Sequence, residues 1–149
     1  MIDPPRPNMM FQPSRTEARR FFFNTWRKHK ECISLAPIEE MALAILLQHP
    51  EYHAQLERPD VYVEKDYQPE AGDANPFLHL GLHLAISEQL SIDQPPGIRR
   101  HYQRLLAKYG DEATAQHLVM GCLGEVLWQA QRQGGMPDSR LYLDCLQQY

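Results

Sequence analysis

The amino-acid sequence predicts an all-α protein, a single bundle-like helical domain of five to six main helices with one long loop. Helix start and stop signals recur along the chain, as capping residues, first-turn prolines and closing glycines. Strand signals are nearly absent, because the one β-rich stretch, Val61-Tyr62-Val63, is too short to form a sheet. The 149 residues, of which 43% are hydrophobic, are enough to bury one core.

The first helix is predicted from Ser14 to about Lys30, because Ser14-Arg15-Thr16-Glu17 has the pattern of a capping box. Residues 1–13 before it are rich in proline and are expected to form a flexible tail, leaving residues 14–149 as the helical domain. An aromatic stripe at helical spacing is expected to pack on the body of the protein: Phe22, Phe23 and Trp26. The arginines of this helix are expected to face the solvent or pair with acidic residues. Substitution of Arg19 or Arg20 should then change stability little.

The second helix is predicted to begin at Pro37 and to end or kink near His49, since Pro50 cannot continue it. A short helix, 51–56, should follow. Residues 58–74 are predicted to form the long loop, because prolines, a glycine and acidic residues interrupt them.

The remaining elements are bounded by caps. Asn75 can cap a helix that begins at Pro76 and runs to about Leu90. Residues 91–97 form a proline-rich turn. Three helices are expected after it: residues 98–109, closed by Gly110; residues 112–133, capped by Asp111 and closed by Gly134; and a last helix opened by Pro137 and Asp138.

Histidines at helical spacing are the main functional lead. His79 and His83 lie four residues apart in an apolar helix and therefore share one face. His49 and His53 form a second pair at the same spacing. Neutral imidazole binds zinc, iron or nickel well, so a divalent metal site inside the bundle is predicted. The preferred ligands are His53, His79 and His83, and the secondary ones are His49, His117, Glu125 and Glu40.

Several alternatives to a metal site remain. Each histidine could instead satisfy a carbonyl or carboxylate in the core. The zinc-protease helix is excluded, because Leu80 stands where its glutamate follows the first histidine. No phosphate-binding glycine loop, dinucleotide fingerprint or serine-hydrolase elbow is present, so no reaction is assigned.

Charge is unevenly distributed along the chain. Residues 1–30 hold seven basic and two acidic residues, so this part carries +5 and the remainder −9 within a net charge of −4. Phosphate contacts with aromatic stacking would make the first helix a nucleic-acid surface, which is the less favoured interpretation. A metal-free adaptor that binds a protein partner through this helix or through residues 58–74 is the main alternative to metal binding.

Composition also bears on location. No apolar run is long enough to span a membrane, and the N-terminus lacks the order of a signal peptide. The three cysteines, Cys32, Cys122 and Cys145, are widely spaced and odd in number, which predicts no disulfide framework. A reducing cytoplasm is the simplest location, and Cys122 is expected to be a small core residue.

Five segments together resemble an uncharacterised bacterial family, domain of unknown function 1841. They occur in order over residues 11–149: Arg20-Phe21-Phe22-Phe23 with Trp26, His49-Pro50-Glu51-Tyr52-His53, residues 75–89, residues 91–98 and residues 122–131. The resemblance implies a bacterial, cytosolic and mostly helical domain. It transfers no catalytic residue, since it implies no activity.

Overall fold

The computed structural model describes residues 15–68 and 75–149, and within them every regular element is helical. The predicted all-α class is therefore confirmed. The proposed tail, residues 1–13, the predicted cap Ser14 and residues 69–74 lie outside the described part of the chain. Among the described residues, none of the helices combines the length and the apolar composition that a membrane-spanning helix needs.

The described residues form eight α-helices. Six have nine or more residues and match the predicted main helices: α1 (Arg15–Lys30), α2 (Pro37–Leu47), α5 (Pro76–Ile92), α6 (Ile98–Tyr109), α7 (Glu112–Gln133) and α8 (Ser139–Gln147). Two have four residues: α3 (His53–Leu56), which follows a 3₁₀ turn (Pro50–Tyr52), and α4 (Pro59–Tyr62).

Helix α4 lies inside the stretch predicted as a long loop, so that prediction was too broad. Pro59 suits the first position of a helix because its missing N–H needs no partner there. The N–H of Val63 donates to the carbonyl of Pro59 at 3.0 Å and closes the single turn.

The chain divides into two compact units, one up to Gly81 and one from Leu82 onward, and each is described by itself. The division falls inside α5, which is one unbroken helix. The prediction of a single domain stays a prediction.

In the first unit, α1 packs against α2 and α3. The aromatic stripe of α1 is buried as predicted, with Trp26 only 5% exposed. It forms a core with Ala42, Ile45, Leu46, Leu56 and Phe77. The ring of Phe23 lies 5.3 Å from that of Phe77, which fixes the start of α5 on this core.

Most basic side chains of α1 pair with acidic residues, as expected. Arg15 binds Asp66, and three further pairs join Arg27 to Glu31, Lys28 to Glu39 and Lys30 to Glu57. These contacts place much of the positive charge of α1 beside carboxylates of the same unit.

Arg19 departs from that expectation, because its side chain is buried and only 1% exposed. Its guanidinium donates to the carbonyls of Tyr62, Val63 and Lys65 at 3.1, 3.3 and 2.6 Å. The prediction of a solvent-facing or acid-paired Arg19 was wrong. The last residue of α4 and the chain after it supply carbonyl acceptors that periodicity along α1 cannot reveal.

In the second unit, α6, α7 and α8 pack on one another. Their core contains Ile86, Ile98, Leu105, Ala115, Val119, Met120, Leu123, Val126, Tyr142 and Leu146. Cys122 is a core residue, as predicted. It also forms a disulfide with Cys145, with the Cα atoms 5.8 Å apart. The expectation of no disulfide was wrong, because packing of α7 on α8 joins two cysteines that are 23 residues apart.

Candidate metal site

His49 is placed by the end of α2. Its backbone N–H donates to the carbonyl of Leu46 at 3.1 Å, and its side-chain Nδ1 lies 2.9 Å from the carbonyl oxygen of Ile45. A carbonyl oxygen can only accept, so Nδ1 is the nitrogen that carries the proton. The lone pair of a neutral His49 is therefore on Nε2, the nitrogen that could bind a metal.

Helix α5 carries the other two histidines of the site. Asn75 caps it, because its Oδ1 accepts the N–H groups of Phe77 and Leu78 at 3.0 and 3.3 Å. This confirms the predicted start. One helical turn separates His79 from His83, so their relative placement is set by α5 alone.

His49, His79 and His83 converge. One ring nitrogen from each can be chosen such that all three lie within 4.8 Å of one another. The rings of His49 and His79 meet edge to face, with centroids 5.1 Å apart. His83 is buried, and the other two are half-buried.

Tyr52 packs beside the rings of His49 and His79. The sequence patterns did not identify it as part of the site. Its ring is nearly parallel to that of His49, at a centroid distance of 5.6 Å, and lies 6.3 Å from that of His79. Burial, followed by the charge of Glu51, raises the pKa of the Tyr52 hydroxyl. Tyr52 therefore stays protonated at neutral pH and orients His49. Its place between two histidines in the sequence was the available signal.

The structure places His53 elsewhere. Its Nε2 donates to the carbonyl of Leu46 at 2.6 Å, and its ring lies 4.3 Å from that of Trp26. His53, a preferred ligand from the sequence, is thus outside the group, whereas His49, a secondary one, is inside it.

The remaining candidates are also outside the group. Glu40 is exposed at the end of α2 that is remote from His49. Glu125 is exposed and accepts a hydrogen bond from Gln129 at 3.1 Å. The ring of His117 lies 5.8 Å from that of His83. His117 is therefore a neighbour of the group.

The donor set favours a transition-metal ion. Imidazole suits zinc, iron and nickel, whereas magnesium and calcium require oxygen ligands. Ligand nitrogens at about 2.0–2.1 Å from one zinc ion would be roughly 3.3 Å apart in a tetrahedral site. The observed separations of up to 4.8 Å therefore require a small inward rotation of the rings.

The comparisons with known proteins identify a family. The model of a family described as a domain of unknown function, DUF1841, matches residues 14–148. No curated protein and no solved structure matches the chain. The family match covers the whole stretch from α1 to α8.

Proposed function

The chain belongs to the DUF1841 family, a domain of unknown function, and we propose that it binds one divalent transition-metal ion through His49, His79 and His83. The observation that carries this proposal is the convergence of three imidazole nitrogens within 4.8 Å. The buried or half-buried position of these three histidines also supports the proposal, because an ion there would be partly shielded from competing water.

The number of ligands bears on the role of the ion. Within the described residues the group contains neither a carboxylate nor a thiol. Structural zinc sites are closed by four protein ligands, whereas catalytic ones use three and keep a position for water. Three imidazoles therefore favour an ion that retains an exchangeable ligand. Zinc is the first choice, with iron and nickel as the alternatives.

The contacts around the His49 ring support the same nitrogen assignment. The Nδ1 hydrogen bond from His49 to Ile45 fixes the tautomer that presents Nε2. Such bonds are typical of metal-binding histidines and raise the basicity of the ligand nitrogen. The parallel ring of Tyr52 limits rotation of the same imidazole.

Elemental analysis of untagged protein tests the proposal. The protein is loaded with zinc, iron(II) or nickel, dialysed and analysed for bound metal. We expect about one ion per chain for the preferred metal, and His49→Ala or His79→Ala should lose it. His29→Ala is the matched control, because His29 is exposed on α1. The site would be refuted if the wild type retained no metal after loading and dialysis. It would also be refuted if the His49→Ala/His79→Ala double variant retained the ion.

Cobalt(II) gives a spectroscopic readout of the same site. A tetrahedral or five-coordinate cobalt site absorbs visible light much more strongly than the aqueous ion. The absorption should appear in the wild type and in His29→Ala and be absent from His79→Ala. Equal spectra for all three proteins would place the cobalt elsewhere.

The alternative is a metal-free adaptor, and a loaded wild type that retains no metal would favour it. Nucleic-acid binding is less favoured, because four basic residues of α1 pair with carboxylates of the same unit. Fluorescence polarisation with RNA and DNA at two salt concentrations tests that reading. Salt-sensitive binding that Arg20→Ala weakens would support it.

A further inference from the structure

His101 is a second buried histidine, remote in sequence from the proposed metal ligands. It lies in the first turns of α6, where its backbone N–H donates to the carbonyl of Gly97 at 3.1 Å. The side chain is only 7% exposed, and its Nδ1 has no hydrogen-bond partner. A buried polar atom in this state is destabilising unless a ligand or water supplies the bond.

His101 helps to line an open cavity of about 500 Å³ in the second unit, together with Arg100, Arg104 and Gln147. Arg100 and Arg104 are one helical turn apart, so they present two guanidinium groups on one side of α6. No acidic side chain belongs to this lining. All four lining residues can donate hydrogen bonds.

The guanidinium group of Arg104 is held in place by a hydrogen bond within the protein. Arg104 donates from Nη2 to the carbonyl of Leu146 at 2.8 Å, which holds its side chain against the end of α8. An arginine has five N–H donors, so this bond leaves others for a ligand. Arg100 is exposed and can move toward a bound group.

The electrostatic potential in this cavity is positive, because Arg100 and Arg104 line it. The pKa of His101 lies below its ordinary value because the ring is buried and because Arg104 and Arg100 are nearby. His101 is therefore neutral at pH 7, and the cavity holds two permanent cations. An anion in the cavity would oppose both arginines and would raise the pKa of this imidazole.

We infer that this cavity binds the phosphate group of a small phosphorylated molecule. Arginine forks match the oxygens of a phosphate, and charge-assisted bonds of this kind are among the strongest in proteins. The volume lies within the range of about 300–1,000 Å³ that is usual for small-molecule sites. It exceeds the size of phosphate alone, which is why a phosphate ester is the ligand class. This site does not depend on the metal site.

Binding is tested with inorganic phosphate and with glycerol 3-phosphate, each titrated at constant ionic strength with chloride. The readouts are isothermal calorimetry and the NMR shift of the His101 imidazole. We expect both probes to bind, with the ester binding more tightly and raising the pKa of His101. Arg100→Gln and Arg104→Gln should each weaken binding at least about tenfold, since a hydrogen bond to a charged group is lost.

Arg140→Gln is the matched control, because Arg140 is an exposed arginine of α8 that does not line the cavity. It should bind both probes like the wild type. Arg100→Gln keeps the test decisive even if the Arg104 variant is unstable, since Arg100 is exposed. The inference would be overturned if neither probe bound. It would also be overturned if Arg100→Gln and Arg140→Gln weakened probe binding equally. Binding of inorganic phosphate alone would limit the site to the free ion and would refute the ester.

Discussion

The imidazole of His53 lies against the indole of Trp26, with ring centroids 4.3 Å apart and planes inclined by 36°. The Nε2 atom of His53 also donates to the carbonyl of Leu46, which already accepts the backbone N–H of His49. His53 therefore ties the short helix α3 to the end of α2 and packs on the core of the first unit. The predicted division of roles is that His53 stabilises the fold and His49 binds metal.

His53→Ala should lower stability and leave the metal content unchanged, whereas His49→Ala should remove the ion. The physical reason is that only His49 shares the group with His79. Urea unfolding and elemental analysis of both variants measure the two properties separately. Loss of metal from folded His53→Ala would contradict this division.

Trp26→Ala should destabilise the protein by about 3–5 kcal/mol, the usual range for a buried aromatic side chain. Trp26 is 5% exposed, and its Nε1 donates to Glu57 at 3.0 Å. Trp128 is the matched control, since its side chain is 51% exposed on α7. Chemical unfolding followed by circular dichroism should show a small effect for Trp128→Ala, and equal losses would refute the prediction.

Arg19→Ala should destabilise the protein by about 2–4 kcal/mol, because three carbonyls lose a charged donor in a buried place. Arg20→Ala is the neighbouring control and should have little effect, since Arg20 is exposed. Arg19→Lys should recover only part of the loss, because an ammonium does not stack as the guanidinium does on the rings of Tyr67 and Phe77. Thermal melting of the three variants tests this order, and a neutral Arg19→Ala would contradict it.

Glu39 should make stability depend on pH in the acidic range. The N–H of Ala36 and then Lys28 lower the pKa of Glu39 from its ordinary value of 4.5. A carboxyl group whose pKa is depressed by folding stabilises the protein above that ordinary value. Its contribution is lost as the pH falls through the lower value of the folded state.

Glu39→Gln should therefore be less stable than the wild type at neutral pH, and the difference should shrink below pH 4.5. Urea unfolding at several pH values measures the difference directly. Glu40→Gln is the control, because Glu40 is the exposed neighbour on the same helix. A difference that stays constant across this range would contradict the role assigned to Glu39.

The Cys122–Cys145 disulfide should stabilise the protein by about 3 kcal/mol, the value that loop closure gives for a separation of 23 residues. Unfolding of the wild type and of Cys122→Ala/Cys145→Ala, each under oxidising conditions, measures this effect. Cys32 is the one free cysteine in the described residues. Thiol titration in denaturant should thus find one reactive group, and three would disprove the bond.

The disulfide also changes the argument about location. Disulfides persist mainly in oxidising compartments, whereas wide cysteine spacing had suggested a reducing one. The cytoplasmic location stays a prediction, and the thiol count of protein taken directly from cells tests it.

The sequence by itself determined the six main helices, because caps and prolines act over a few residues. Asn75 and Pro76 start α5 as predicted, and Asp111 caps α7 by accepting the N–H of Thr114 at 3.1 Å. The same short-range periodicity placed His79 and His83 on one face. The buried aromatic stripe of α1 was predictable for the same reason.

Only the tertiary structure decided which distant groups meet. Two histidines near the end of α2 have the same spacing signal, yet His49 turns toward His79 while His53 packs on Trp26. Arg19 donates hydrogen bonds to carbonyls more than forty residues away, and Cys122 forms a disulfide with Cys145 of the neighbouring helix. These choices depend on how whole helices pack, a long-range property that local sequence patterns do not contain.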